Sequence, residues 1–92
     1  MFIVHLTYLI SFDEVLKVRP KHVQFLEQFY SENKFLFSGR RYDAAGSVIV
    51  VNSNSEDEVC EIMSQDPFVK EGVAKYEIVG FDVTMKSKNI NL

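Results

Sequence analysis

His22 and Asp66 are the side chains of this sequence best suited to moving a proton. An imidazole titrates near neutral pH, and a carboxylate on one ring nitrogen fixes its tautomer and aims the other nitrogen at a substrate. His22 lies in "RPKHVQFL" (residues 19–26), on one stripe with Leu26 and Phe29 at steps of four and three. Asp66 lies three residues past Met63, on the stripe that Val59, Ile62 and Met63 begin. Three arginines, Arg19, Arg40 and Arg41, are available to hold an acidic group by bidentate hydrogen bonds. Each residue also has a plainer role. A histidine on an apolar helix face is often hydrogen-bonded structure, an Asp before Pro is often a cap, and paired arginines at a turn are often solvated.

The elements that must bring these residues together follow from pattern. "MFIVHLTYL" alternates as a strand, with Phe2, Val4, Leu6 and Tyr8 on one face and a mixed set, Ile3, His5, Thr7 and Leu9, on the other. "ISFDEVLKV" reads as a connection that can include a turn of helix. Proline is favoured at the first helical position, so a helix is expected from Pro20 to Asn33, capped at Arg19, with His22 in its first turn. There the helix dipole disfavours an imidazolium that Asp66 favours, which would poise His22 near neutrality. "NKFLFSGRRYD" is a second strand ending in a turn. "GSVIVVN" is a third, apolar enough to suggest burial on both faces. Ser55 and Glu58 form an S-x-x-E capping box for a second helix with three acidic residues in its first turn. Asp66-Pro67 interrupts that helix, and "VAKYEIVGFDVTM" is a fourth strand. A single domain over 1–85 and a polar tail over 86–92 are expected.

The order β-α-β-β-α-β is the ferredoxin-like, α+β pattern: a four-stranded antiparallel sheet with both helices on one face. In this topology the start of the first helix and the end of the second share one edge with the ends of the first two strands. His22, Asp66, Tyr8, Ser38, Gly39, Arg40 and Arg41 all fall there.

Composition narrows the function classes. The 92 residues carry a net charge of −3 with no Lys/Arg run longer than two, which argues against a nucleic-acid partner. The one cysteine, Cys60, excludes an internal disulfide and a cysteine-rich zinc site, and fits a reducing, cytoplasmic setting. It lies amid acidic residues and reads as a small helix residue rather than a nucleophile. No stretch is long and apolar enough for a membrane span, and "MFIVHLTYLI" lacks the basic region of a signal peptide. No spacing suggests a metal site, and no glycine-rich loop a nucleotide; no cofactor is expected. Eight Phe and four Tyr are a large aromatic load for one small core, so part of it is expected to be buried against a second copy. His5 then reads as structural or as a subunit contact.

Taken together, "RPKHVQFL", "FLFSGR", "AAGSVIVV" and "SEDEVCEIMSQDPFVKEGVAKYEIVGFDV" resemble the YciI-like (YCII-related domain) family over residues 2 to 84. The resemblance implies a dimeric α+β barrel with the open sheet faces packed together. It places the family's His–Asp pair on His22 and Asp66, and implies lyase- or isomerase-like acid–base chemistry on small molecules. Two departures stand out: Arg40 where the S-G-P pattern has proline, and Ala45-Gly46 in place of a glycine pair.

The expected protein is therefore a homodimer with a cavity in which His22 and Asp66 transfer protons on an anionic or aromatic metabolite. Arg19, Ser38, Gly39 and Arg40 would line it. The rival expectation is a non-catalytic ligand-binding or regulatory module in which the pair only fastens the helices.

Overall fold

In the computed structural model, which describes residues 1–92, the strands are β1 (Phe2–Tyr8), β2 (Phe35–Arg40), β3 (Gly46–Val51) and β4 (Ala74–Gly80). The helices are α1 (Phe12–Ser31), α2 (Glu56–Met63) and the single turn α3 (Pro67–Lys70). The sheet runs β2-β3-β1-β4 with every neighbour antiparallel, the strand order of the ferredoxin-like fold. No helix is long and apolar enough to cross a membrane.

The first helix starts eight residues before the expected Pro20, at Phe12. Its cap is Ser11, whose hydroxyl accepts from Glu14 N–H, and Asp13 and Glu14 occupy the first turn, where the dipole favours anions. Arg19 is thus not a cap, and "ISFDEVLKV" is a connection only at Ile10 and Ser11; the rest of it belongs to α1. Pro20 sits inside the helix and removes the bond its N–H would give the Leu16 carbonyl. Both Leu16 and Pro20 are exposed, so water reaches the freed carbonyl and the helix continues. Val15, His22 and Phe29, each a heptad apart, are buried on the inward stripe with Phe25. The helix ends with Asn33 at a φ of 59° and Lys34 N–H donating to the Phe29 carbonyl, a Schellman-type stop.

The capping box at α2 is half formed. Ser55 Oγ accepts from Glu58 N–H, but the Glu58 carboxylate does not return to the Ser55 N–H. That N–H donates to Ser53 Oγ, and the carboxylate accepts from Lys34 Nζ at 3.2 Å instead. The Ser53 hydroxyl and the Lys34 ammonium together hold the Glu58 carboxyl below its usual range.

The helices and the inner sheet face enclose one core, with Val4, Leu6, Phe35, Ile49, Val51, Val59, Met63 and Phe68 almost fully sealed. A bulge at Leu36 lets Phe35 pair with Val51 and Phe37 with Val50, which keeps both Phe35 and Ser38 on the helix side and turns Phe37 outward. Within the chain, β3 is not buried on both faces as its apolar run suggested. The helices cover only one face, leaving Val48 and Val50 half-buried beside Ile3 and the exposed Phe37 and Val79. The fourth strand is also shorter than expected. Its last rung is Phe81 N–H to the Met1 carbonyl, just before β1 begins, and no helix or strand follows Gly80.

Candidate active site

The site is a cavity of about 230 Å³ between α1 and the β2–β3 half of the sheet. Arg19, His22, Val23 and Leu26 face it from α1, at the spacing that keeps residues on one helix side. Ser38, Gly39 and Arg40 come from β2, Ser47 and Ile49 from β3, Tyr8 from the end of β1, and Phe68 from α3. The positions expected from sequence, His22, Arg19, Ser38, Gly39 and Arg40, are thereby brought into one place.

His22 lies ten residues inside α1 rather than in its first turn, so the dipole contribution expected there is absent. Its position is set by packing and by Asp66. His22 Nδ1 and Asp66 Oδ1 are 2.7 Å apart, with the His22 side chain 7% exposed and that of Asp66 fully buried. The Phe68 ring stacks on the imidazole with centroids 3.9 Å apart and planes 6° from parallel. With a carboxylate at Nδ1, that nitrogen carries the hydrogen and Nε2 is left as an acceptor. No group of the chain hydrogen-bonds Nε2, and His22 lines the cavity.

Asp66 does not itself line the cavity; it lies sealed behind His22. The two roles considered for it are combined in one oxygen. Oδ1 accepts from Phe68 N–H at 2.9 Å, capping α3 with Pro67 at its first position, and also accepts from His22. Its second oxygen, Oδ2, is buried with no partner.

The three arginines divide. Arg41 is committed to structure, donating to Thr7 Oγ1 at 2.9 Å and pairing with Asp43. Arg19 and Arg40 form no ion pair and line the cavity, and no Asp or Glu lines it with them. The Ser38 hydroxyl is already bonded to Tyr30. Ser47 Oγ, by contrast, is buried and has no partner.

Sequence reasoning missed Phe68 and Ser47 as site residues. The signal for Ser47 was present: it is the one polar residue on the inward alternation Ser47, Ile49, Val51 of an otherwise apolar strand. Phe68 was hidden because only the α1–α3 contact puts its ring on the imidazole. Cys60 lies on α2 beside Tyr76, whose hydroxyl burial pushes above its ordinary pKa. His5 is exposed on the open sheet face between Val48 and Glu77. No three His, Cys, Asp or Glu side chains cluster to hold a metal ion.

The chain matches the model of the YCII-related domain over residues 1–82. Comparison with curated proteins gives no match in sequence. Among solved structures, the fold is similar to that of 5-chloro-2-hydroxyhydroquinone dehydrochlorinase from Burkholderia phenoliruptrix AC1100, in complex with 2,5-dihydroxybenzoquinone. The TM-score is 0.74 and the identity 21%, over 88% of this chain and 92% of the other.

Proposed function

The chain belongs to the YCII-related domain family, and on that premise we propose that its cavity performs general acid–base chemistry on a small anionic or aromatic metabolite. The observation that carries this reading is the His22–Asp66 pair, with Nε2 unpartnered beside two unpaired guanidiniums. His22 Nε2 takes a proton from an acidic C–H or O–H of the ligand. The Asp66 carboxylate at Nδ1 and the stacked Phe68 ring hold the positive charge that develops on the imidazole. The same proton is then returned at another atom, an isomerisation, or the electron pair left behind expels a leaving group, an elimination. Arg19 and Arg40 hold the negative charge of the ligand, and Ser38 and Gly39 shape the wall. The elimination branch is supported by the dehydrochlorinase of like fold, whose named reaction removes hydrogen chloride.

A screen of small carbon acids for deuterium uptake from heavy water tests this reading. General acid–base catalysis contributes about 10²–10⁴-fold, so His22→Asn should lose exchange by that factor while staying folded. Equal exchange in both proteins would leave the alternative, a ligand-binding or regulatory module.

The bare sheet face supports a homodimer in which two such faces pack together. Phe37 is 60% and Val79 52% exposed, next to Ile3, Val48 and Val50, a contiguous apolar patch of the kind a monomer seldom leaves in water. Sedimentation at micromolar concentration should give twice the mass of the chain; a clean monomer would remove the barrel. The lone cysteine, unpaired at Cys60, supports a reducing compartment, the cytoplasm.

A further inference from the structure

The two ends of the cavity differ in chemistry. β2 and β3 pair Arg40 with Ser47 and Ser38 with Ile49, and all four line the cavity. β1 and β2 each run antiparallel to β3, so α1, which leaves the end of β1 and returns to the start of β2, runs antiparallel to both strands. Going along α1 from Arg19 past His22 to Leu26 therefore leads from the Arg40–Ser47 rung to the Ser38–Ile49 rung. The first end is cationic and hydrogen-bonding; the second is apolar, with Val23, Leu26 and Ile49 and a Ser38 hydroxyl already bonded to Tyr30.

The donors at the first end are idle. Of the three arginines only Arg41 has a carboxylate partner; Arg19 and Arg40 have none. Ser47 Oγ is buried without any hydrogen bond, a state that costs free energy until a partner arrives. We propose that Arg40 and Ser47, together with Arg19, form a carboxylate subsite, and that the ligand is a small organic acid whose reacting atom meets His22 about one helical turn from its carboxylate. This deepens, and rests on, the acid–base reading of His22. Arg19 and His22 are three residues apart, a rise of about 4.5 Å. The cavity of about 230 Å³ accommodates a molecule no larger than a single substituted ring. Planar guanidinium forks and a hydroxyl favour a planar carboxylate, while inorganic phosphate is the competing oxyanion the same donors would accept.

Calorimetric titration with benzoate, benzyl alcohol and inorganic phosphate decides the matter. Benzoate should bind at least about tenfold more tightly than benzyl alcohol, as expected for a charge-assisted hydrogen bond, and more tightly than phosphate. Arg40→Met should lose that advantage, Arg40→Lys should keep part of it, and Ser47→Ala should weaken benzoate by about fivefold. Arg40 is exposed and its side chain forms no hydrogen bond or ion pair within the chain, so its variants should remain folded. Absent benzoate binding, equal binding of benzyl alcohol, tighter binding of phosphate, or indifference to Arg40→Met would each overturn the subsite. Benzoate binding with all these dependences, in a protein that exchanges no substrate proton, would uphold the subsite and remove the acid–base reading. Exchange on an uncharged substrate without benzoate binding would do the reverse.

Discussion

Arg40 and Arg41 are neighbours in the chain and opposites in use. Around Arg41 every partner is supplied: its guanidinium meets Thr7 Oγ1 and Asp43, and the Asp43 carboxylate also accepts from Ala45 N–H, closing the β2–β3 turn against β1. One residue earlier, Arg40 joins a region where partners are missing. Asp66 Oδ2 and Ser47 Oγ are buried and unpaired, Arg19 and Arg40 have no carboxylate, and His22 Nε2 faces open space. A cluster whose hydrogen bonds are complete holds a turn shut. A cluster left incomplete around a cavity has capacity for a ligand, and the fold bears the cost elsewhere.

Removing Asp66 attacks the incomplete cluster at its base and should have the largest effect. Asp66→Ala strips the cap from α3 and leaves the buried His22 Nδ1–H without an acceptor, at a cost of about 1–3 kcal/mol. The loss is held to that range because the unpaired Oδ2 disappears with it. Denaturant unfolding should show this destabilisation, and proton exchange should fall as in His22→Asn. Unchanged stability would mean that Asp66 neither caps nor holds the imidazole. In the complete cluster, Arg41→Ala should cost about 1 kcal/mol and leave benzoate affinity as it is, because its bonds end on Thr7 and Asp43 rather than in the cavity. A drop in affinity would erase the contrast between the two arginines. The smallest effect concerns pH. The Ala45 backbone N–H, then Arg41, hold the Asp43 carboxyl below its ordinary value of 3.8. A carboxyl lowered in the folded state stabilises the fold above the unfolded value and loses that contribution as pH falls through the folded one. Stability should therefore decline slightly below about pH 4, and less so in Asp43→Asn; because Asp43 is exposed, salt should blunt the difference.

Much of this was legible in the chain, for reasons that can be named. The four strands declared themselves through branched and aromatic composition, and topology brought His22, Asp66 and Arg40 to one place, though by way of a first helical turn that His22 does not occupy. The start of α1 was misread because Pro20 is a strong local signal for a helix start, and it outweighed Ser11 and Glu14, which carry the same S-x-x-E pattern that marked α2. The capping box of α2 was legible only by half: Lys34, distant in sequence, takes the carboxylate that local pattern assigns to the Ser55 N–H. The bulge at Leu36 and the stacking of Phe68 on His22 depend on tertiary contact, and neither leaves a local trace. Asp66 was read as either cap or site residue, whereas a single oxygen serves both.

The central claim is that His22 presents a bare Nε2 to the cavity while Asp66 holds the hydrogen on Nδ1. The imidazole ¹⁵N resonances of His22, distinguished from those of His5 by their absence in His22→Asn, report this directly near neutral pH. For the neutral ring the account predicts a hydrogen on Nδ1, none on Nε2, and an Nε2 resonance that shifts when benzoate is added. A hydrogen on Nε2 of the neutral ring, or an Nε2 signal indifferent to the ligand, would contradict it.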